Sequence, residues 1–245
     1  MNQVALVIGA GDATGGAIAR RFAREGYTAC VTRRSLDKLQ PLLEQIRAAG
    51  GKAEGFASDA RKEEDVIALV ERIESTIGPI EVLVFNIGAN VASSILDETA
   101  RKYFKIWEMA CLGGFLNGRE VAKRMVARGG EGHQETIIFT GATASLRGAA
   151  NFAAFAGAKH ALRALAQSMA RELGPRGIHV AHVVVDGAID TEFIRSNFPD
   201  RYALKEQDGI LDPEHIADSY WYLHSQPRDA WTHELDLRPW NEKFS

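Results

Sequence analysis

The chain has 245 residues, 46% of them hydrophobic and 25% charged, a balance that suits one globular α/β domain with an ample core. Its net charge of -3 supplies no basic field for nucleic acid, and neither a basic amphipathic anchor nor a membrane-length apolar run is apparent. Cys30 and Cys111 are isolated, with neither metal spacing nor a disulfide framework, and the first strand begins too close to Met1 for a signal peptide, so a cytoplasmic protein without a metal is expected.

Val4-Ala5-Leu6-Val7-Ile8 is a short apolar run of the kind buried on both faces of a parallel sheet. Gly9-Ala10-Gly11-Asp12-Ala13-Thr14-Gly15-Gly16 follows, then Ile18 and Phe22 at helical spacing. A strand that feeds a helix through glycines directs backbone N–H groups and the positive end of the helix dipole at one point, which suits a phosphate. An ordinary tight turn has the same composition, so this stretch alone is a weak mark of dinucleotide binding. The second strand, residues 27–32, ends in Arg33-Arg34. Where such a unit binds a dinucleotide, an acid here favours the free 2′-hydroxyl of NAD, and arginine favours the 2′-phosphate of NADP. Two arginines and no acid predict NADP over NAD, although adjacent arginines are also common as solvated surface.

Leu36, Leu39, Leu43 and Ile46 form one apolar helix face that stops at Gly50-Gly51. Residues 52–57 are a third strand, and Asp59 after it is either an acceptor for the adenine edge or a cap for the helix that runs to Ile77. A fourth strand, 80–85, runs into Asn86-Ile87-Gly88-Ala89. A helical pattern over 97–128 passes through Phe104, Trp107, Cys111 and Phe115, is interrupted by Gly113-Gly114 and ends at Gly129-Gly130. Glycine within a helix costs about 1 kcal/mol relative to alanine, so the pair implies close packing against another backbone. A strand at 136–140, an alanine-rich helix at 151–173 and a strand at 178–185 follow. Asp212-Pro213 opens a helix to His224, and 235–237 is the last strand. This alternation, with no linker or repeat, predicts an α/β fold: a Rossmann-type doubly wound parallel sheet flanked by helices, one domain over 1–245.

Together these motifs resemble the short-chain dehydrogenase/reductase family over nearly the whole chain. The family's Gly-x-x-x-Gly-x-Gly falls on Gly9, Ala13 and Gly15, with alanine in the middle and Gly11 within the same loop. Its Asn-Asn-Ala-Gly appears as Phe85-Asn86-Ile87-Gly88, its strand-end Asp as Asp59, and its Pro-Gly-x-x-x-Thr as Asp186-Gly187-Ala188-Ile189-Asp190-Thr191. The resemblance implies a cofactor held by Gly9, Gly11, Ala13, Gly15, Arg33, Arg34, Asp59, Asn86, Gly88, Lys159, Gly187, Ile189 and Thr191. The family's Tyr-x-x-x-Lys reads Phe155-Ala156-Gly157-Ala158-Lys159, its serine falls on Ala142, and its helix asparagine falls on Ala110. In the family the tyrosine exchanges a proton with the substrate oxygen, the serine holds that oxygen, the lysine lowers the tyrosine pKa and binds the nicotinamide ribose, and the asparagine holds a relay water. Phe155 and Ala142 have no proton or donor to give.

Several groups stand near the vacant positions. Asp186, in the place of the family's proline near the nicotinamide, and Thr143, after Ala142, are candidates to replace the tyrosine, Asp186 as a catalytic acid, though each is read first as a satisfier of strand-end backbone groups. His160 is about 100° around the helix from Lys159, His182 reads as a core histidine, and nothing activates Cys111. Trp107, Phe152 and the segment after Thr191 imply a partly aromatic pocket. The leading expectation is an NADP-dependent oxidoreductase acting on a small molecule, such as an iminium ion or an enone, that needs no tyrosine acid. The rival is a catalytically inactive NADP(H)-binding sensor or oligomer partner. The resemblance also implies a homodimer or homotetramer packed through the two long helices, with Gly113, Gly114, Ala154, Gly157, Ala158 and Ala161 permitting close approach of subunits.

Overall fold

The computed structural model describes residues 3–88, 90–129 and 134–243. Ala89 and Gly130, which belong to two of the turns expected from the sequence, lie outside them. Among the described residues, seven strands form one parallel sheet in the order β3-β2-β1-β4-β5-β6-β7. They are β1 (Val4–Ile8), β2 (Thr28–Arg33), β3 (Lys52–Ala57), β4 (Ile80–Phe85), β5 (Glu135–Thr140), β6 (Ile178–Val185) and β7 (Glu234–Leu237). The helices are α1 (Thr14–Arg24), α2 (Gln40–Ala48), α3 (Glu63–Thr76), α4 (Ala100–Trp107), α5 (Gly113–Arg128), α6 (Ala153–Leu173), α7 (Glu192–Asn197), α8 (Pro199–Tyr202) and α9 (Pro213–Ser225).

Side chains alternate along each strand, so the sheet feeds two cores. Ala5, Val7, Val31, Val84 and Ile138 meet Phe22 of α1, Leu43 of α2 and Tyr220 of α9 on one face. Leu6, Ile8, Leu83, Phe85 and Phe139 meet Ile73 of α3, Met125 of α5 and Leu162 of α6 on the other. Each fully buried side chain of this size contributes roughly 1.5–3 kcal/mol. Strand order reverses between β1 and β4, which opens a crevice at their C-terminal ends. No helix among the described residues is long and apolar enough to cross a membrane.

Three local expectations need correction. The helical pattern at 97–128 begins at Ala100, where the Thr99 hydroxyl accepts a hydrogen bond from the Lys102 amide at 3.2 Å, and is continuous through the glycines. Its irregularity is a π-helical turn at Glu108–Leu112, which carries Ala110. Such turns relieve one inserted residue and are frequent at functional sites. Gly114 makes room for a side chain rather than for another backbone, since a Cβ there would lie 2.5 Å from Leu162 Cδ1, whereas Gly113 meets both, a Cβ there lying 3.2 Å from Phe85 Cζ and 3.4 Å from the Ala60 carbonyl oxygen. Asp59 does not cap α3, whose N-cap is Lys62 without a side-chain bond. Glu63, Glu64 and Asp65 instead place charge at the positive end of α3. Asp212 caps α9 as expected, its Oδ1 accepting from the Glu214 amide at 2.8 Å.

The sheet and α9 also bury polar side chains, of which the sequence marked only His182 as core. His182 of β6 is fully buried, and its Nδ1 lies 3.0 Å from Glu234, which also takes both arms of Arg163 at 2.6 Å. His224 sits between Tyr27, 2.7 Å from its Nε2, and Thr136, 2.9 Å from its Nδ1.

Candidate functional site

The turn after β1 is compact because its glycines allow the chain to touch itself. Gly9 has φ +84°, and a Cβ there would stand 2.8 Å from the Asn86 carbonyl oxygen. A Cβ on Gly15 would stand 2.5 Å from the Gly9 carbonyl oxygen. Asn86, at the end of β4, donates its side-chain amide to that same Gly9 oxygen at 3.3 Å. Gly16, which sequence reasoning passed over, is equally required, since a Cβ on it would overlap the Gly11 carbonyl. Gly11 and Gly88 face open space. Ala13 is the N-cap of α1 and makes no side-chain bond, and the first turn of α1 holds no acid. The leading N–H groups of an eleven-residue helix therefore have no side-chain acceptor, which fits an anion such as a pyrophosphate.

Arg33 and Arg34 stand at the end of β2, as expected. Arg33 reaches the Lys38 carbonyl at 3.4 Å, and Arg34 is exposed. Asp59, at the end of neighbouring β3, is gripped in two-pronged fashion by Arg61 at 2.9 and 2.6 Å. That hydrogen bonding, with a smaller contribution from Arg34, holds the Asp59 carboxyl at about 2. Arg61 was missed in the sequence although it lies two residues from Asp59, and the pairing of β2 with β3 brings Arg34 within charge reach of the same acid. Arg61 and Arg34 thus act on one engaged acid at this corner, beside the strand end that carries Arg33.

A cleft of about 390 Å³ separates the glycine loop from the segment 188–212, with Asp12, Ala13, Arg20, Thr191, Arg195 and Lys205 in its wall. A larger groove of about 630 Å³ lies at the opposite end of the sheet, by Thr28 and Lys52. Doubly wound sheets bind ligands at the C-terminal ends of their strands, which favours the smaller cleft. Gly187 has φ +154° and packs on Pro239, Ile189 bridges to Leu211, and the Thr191 hydroxyl caps α7 by accepting from the Ile194 amide at 3.1 Å. The C-terminal tail holds the outer part of this segment: Trp240 donates to the Gln207 carbonyl at 2.9 Å, and Glu242 pairs with Arg201 at 3.0 Å.

Lys159 of α6 is 2% exposed, and its Nζ donates to the Thr140 carbonyl at 2.7 Å and the Ile87 carbonyl at 3.2 Å. It thereby ties the ends of β4 and β5, and burial brings its pKa down to about 8. Nζ lies 5.9 Å from the centre of the Phe155 ring. Ala110, Ala142 and Phe155 do come together, in one apolar cluster with Ile106, Trp107 and Phe152. The Tyr103 hydroxyl does not take the place of one on Phe155: it lies 2.8 Å from where a Cβ on Gly157 would stand, about 200° around α6 from Phe155. His160 turns its Nδ1 to the Ala156 carbonyl at 2.9 Å, and burial pushes the Cys111 thiol up.

Asp186 departs from its expected role. It satisfies side chains rather than strand-end backbone: the Thr143 hydroxyl donates to Oδ1, and Arg238 lies 3.2 Å from Oδ2. Arg238 also pairs with Asp236. Nothing local in the sequence marks Arg238 as a partner.

The parallel sheet, the glycine turn at its switch point and the crossover helices define the Rossmann class of doubly wound α/β proteins. Within that class the chain belongs to the short-chain dehydrogenase/reductase family, whose short chain dehydrogenase model matches residues 3–201. A short-chain dehydrogenase from Rhodopseudomonas palustris is 46% identical, with 98% of this chain and 100% of that one covered and a TM-score of 0.81. A metagenomic short-chain oxidoreductase solved in complex with NADP is 26% identical over 97% of each chain, with a TM-score of 0.81. Sorbitol-6-phosphate 2-dehydrogenase of Escherichia coli is 30% identical over 207 residues, 84% of this chain and 78% of that protein.

Proposed function

We propose that the protein binds NADP(H) across one domain spanning 1–245 and reduces or oxidises a small organic molecule that needs no proton from a tyrosine. One observation carries this reading: the cofactor side of the site is built while the acid side is apolar. The glycine loop, Asn86 and Lys159 are in place, whereas Ala110, Ala142 and Phe155, which we read as standing at the family's asparagine, serine and tyrosine positions, form an apolar cluster. The bound nicotinamide supplies or accepts a hydride. The chain's own part is to hold the dinucleotide with the N-terminus of α1, Lys159 and Thr191, and to orient the substrate in a pocket without an acid. The test is NADPH consumption against a panel of imines, enones and carbonyls. Loss of absorbance with any of them supports an enzyme, and NADPH binding without turnover across the panel supports a cofactor-binding sensor.

NADP(H) is the preferred cofactor on the strength of Arg33 and Arg34, with Arg61 close by. Charge-assisted bonds to a 2′-phosphate are the strong kind. Arg34→Ala is expected to weaken NADPH roughly tenfold to a hundredfold and leave NADH unchanged. A fluorescence titration checks this, and equal affinities for the two cofactors in the unmodified protein refute it.

The protein is also proposed to form homodimers or homotetramers, although five of the six small residues expected from the sequence, all but Ala161, pack within the chain. Gly113, Gly114, Ala154 and Ala158 are consumed by packing within the chain, and Gly157 faces Tyr103 of the same chain. The outward face of α4 and α5 instead presents Phe104, stacked 6.0 Å from Trp107, and Phe115. Light scattering at micromolar concentration is expected to give an oligomer, and Phe104→Glu with Phe115→Glu a monomer. A monomeric unmodified protein refutes this.

A further inference from the structure

We infer that the sheet end formed by Ala142, Thr143 and Asp186 recognises a cationic hydrogen-bond donor, an amine or iminium nitrogen, in preference to a carbonyl oxygen. This rests on the reading of the site as an NADP(H) site and names its substrate class.

The inference follows from counting donors and acceptors. A carbonyl that gains a hydride develops negative charge on oxygen and calls for donors. Here most of the donors are already engaged, one N–H of Lys159 and one of Asn86 excepted. Lys159 gives two of its three N–H groups to the Thr140 and Ile87 carbonyls. The Ala142 amide donates to Ser145 Oγ at 3.1 Å, and the Asn86 amide donates to the Gly9 carbonyl. The Thr143 hydroxyl, next to the family's serine position, has its one proton on Asp186. What remains of Thr143 is its acceptor lone pairs. Phe155 and Ala142 add neither kind of group.

The charges point the same way. Arg238 is the cation against Asp186, but it is shared with Asp236 and lies within charge reach of Glu242. Glu242 has Arg201 as its own partner, so Asp186 and Asp236 share one guanidinium and the cluster keeps negative charge. Asp186 is 3% exposed, so little water screens it. A partly dehydrated carboxylate with an oriented hydroxyl beside it attracts a cation and repels a developing oxyanion. A ligand nitrogen that arrives positively charged needs no proton from the protein, which agrees with the hydrocarbon at Phe155.

The experiment titrates NADP⁺-saturated protein calorimetrically with two probes of one shape. They are 1,2,3,4-tetrahydroisoquinoline, an ammonium ion at pH 7, and 2-tetralone, which carries a carbonyl at the same ring position. NADPH affinity is measured alongside. The amine is expected to bind at least about tenfold more tightly than the ketone. Asp186→Asn is expected to erase that preference with NADPH affinity unchanged, and Thr143→Val to reduce it severalfold. If Asp186→Asn fails to bind NADPH for want of folding, Thr143→Val decides the matter. With NADPH binding intact, equal affinities, a preference for the ketone, no binding of either probe, or an amine preference untouched by the deciding variant overturns this inference alone. Failure of the unmodified protein to bind NADPH overturns the proposed function, and this inference with it.

Discussion

Phe155→Tyr combined with Ala142→Ser is expected to reduce simple aldehydes and ketones with NADPH at least about a hundredfold faster than the unmodified protein. The Phe155 ring is already held against Lys159, whose charge lowers the pKa of a hydroxyl placed on that ring. Ala142 lies in the same cluster and has extended backbone at φ −159° and ψ 174°, so a serine side chain there meets no conformational barrier. Ala110→Asn is expected to add less, because a relay water matters only once an acid exists. Lys159→Ala should weaken cofactor binding in every background. Asp186 opposes the gain, since a carboxylate near a developing oxyanion raises the barrier. Adding Asp186→Asn to the pair should therefore raise the rate again. The measurement is NADPH-dependent reduction of a carbonyl panel. A double variant that binds NADPH as the parent does and reduces nothing tells against a vacated family site, and favours a pocket rebuilt for other chemistry.

A loss of stability in mild acid is expected from the buried histidines. Burial is the main cause that brings His182 and His224 down to about 4, against an ordinary value near 6.5. The Glu234 hydrogen bond pulls His182 the other way and is outweighed. Both groups are bases held neutral in the folded chain. Between pH 6.5 and 4 the unfolded chain binds more protons, so stability is fully present above about 6.5 and drains away as pH falls towards 4. Each histidine accounts for on the order of 3 kcal/mol over that window, and the pair for a large part of the roughly 5–15 kcal/mol typical of a folded protein. Asp59, held at about 2, acts only below this range. Urea melts at intervals from pH 7.5 to 5 should show the midpoint falling, and His182→Leu or His224→Gln should flatten the slope. A midpoint independent of pH across that range shows that these rings take up protons without unfolding.

The sequence by itself determined the strands, the glycine turn and the parallel doubly wound sheet. These depend on local terms: apolar runs bounded by glycine or proline, helix-spaced apolar faces, and the Asp212-Pro213 cap. The spacing of a family motif also expected Ala110, Ala142, Phe155 and Lys159 in one neighbourhood, and the packing of α6 against the π-helical turn and the end of β5 brings them together. The tertiary structure alone decided how the charges pair and where the small residues face. Thr143 reaches Asp186 from 43 positions away, and Arg238 arrives from beyond the last strand, because β5, β6 and β7 lie side by side. Gly113 and Gly114 serve the interior rather than a partner subunit, since Phe85 and Leu162 occupy the space that their missing Cβ atoms leave. The π-helical turn at Ala110 has no mark in the residue pattern either. Periodicity and turn chemistry act over a few residues, whereas the sign of a site's electrostatics is set by which strand ends the sheet makes neighbours.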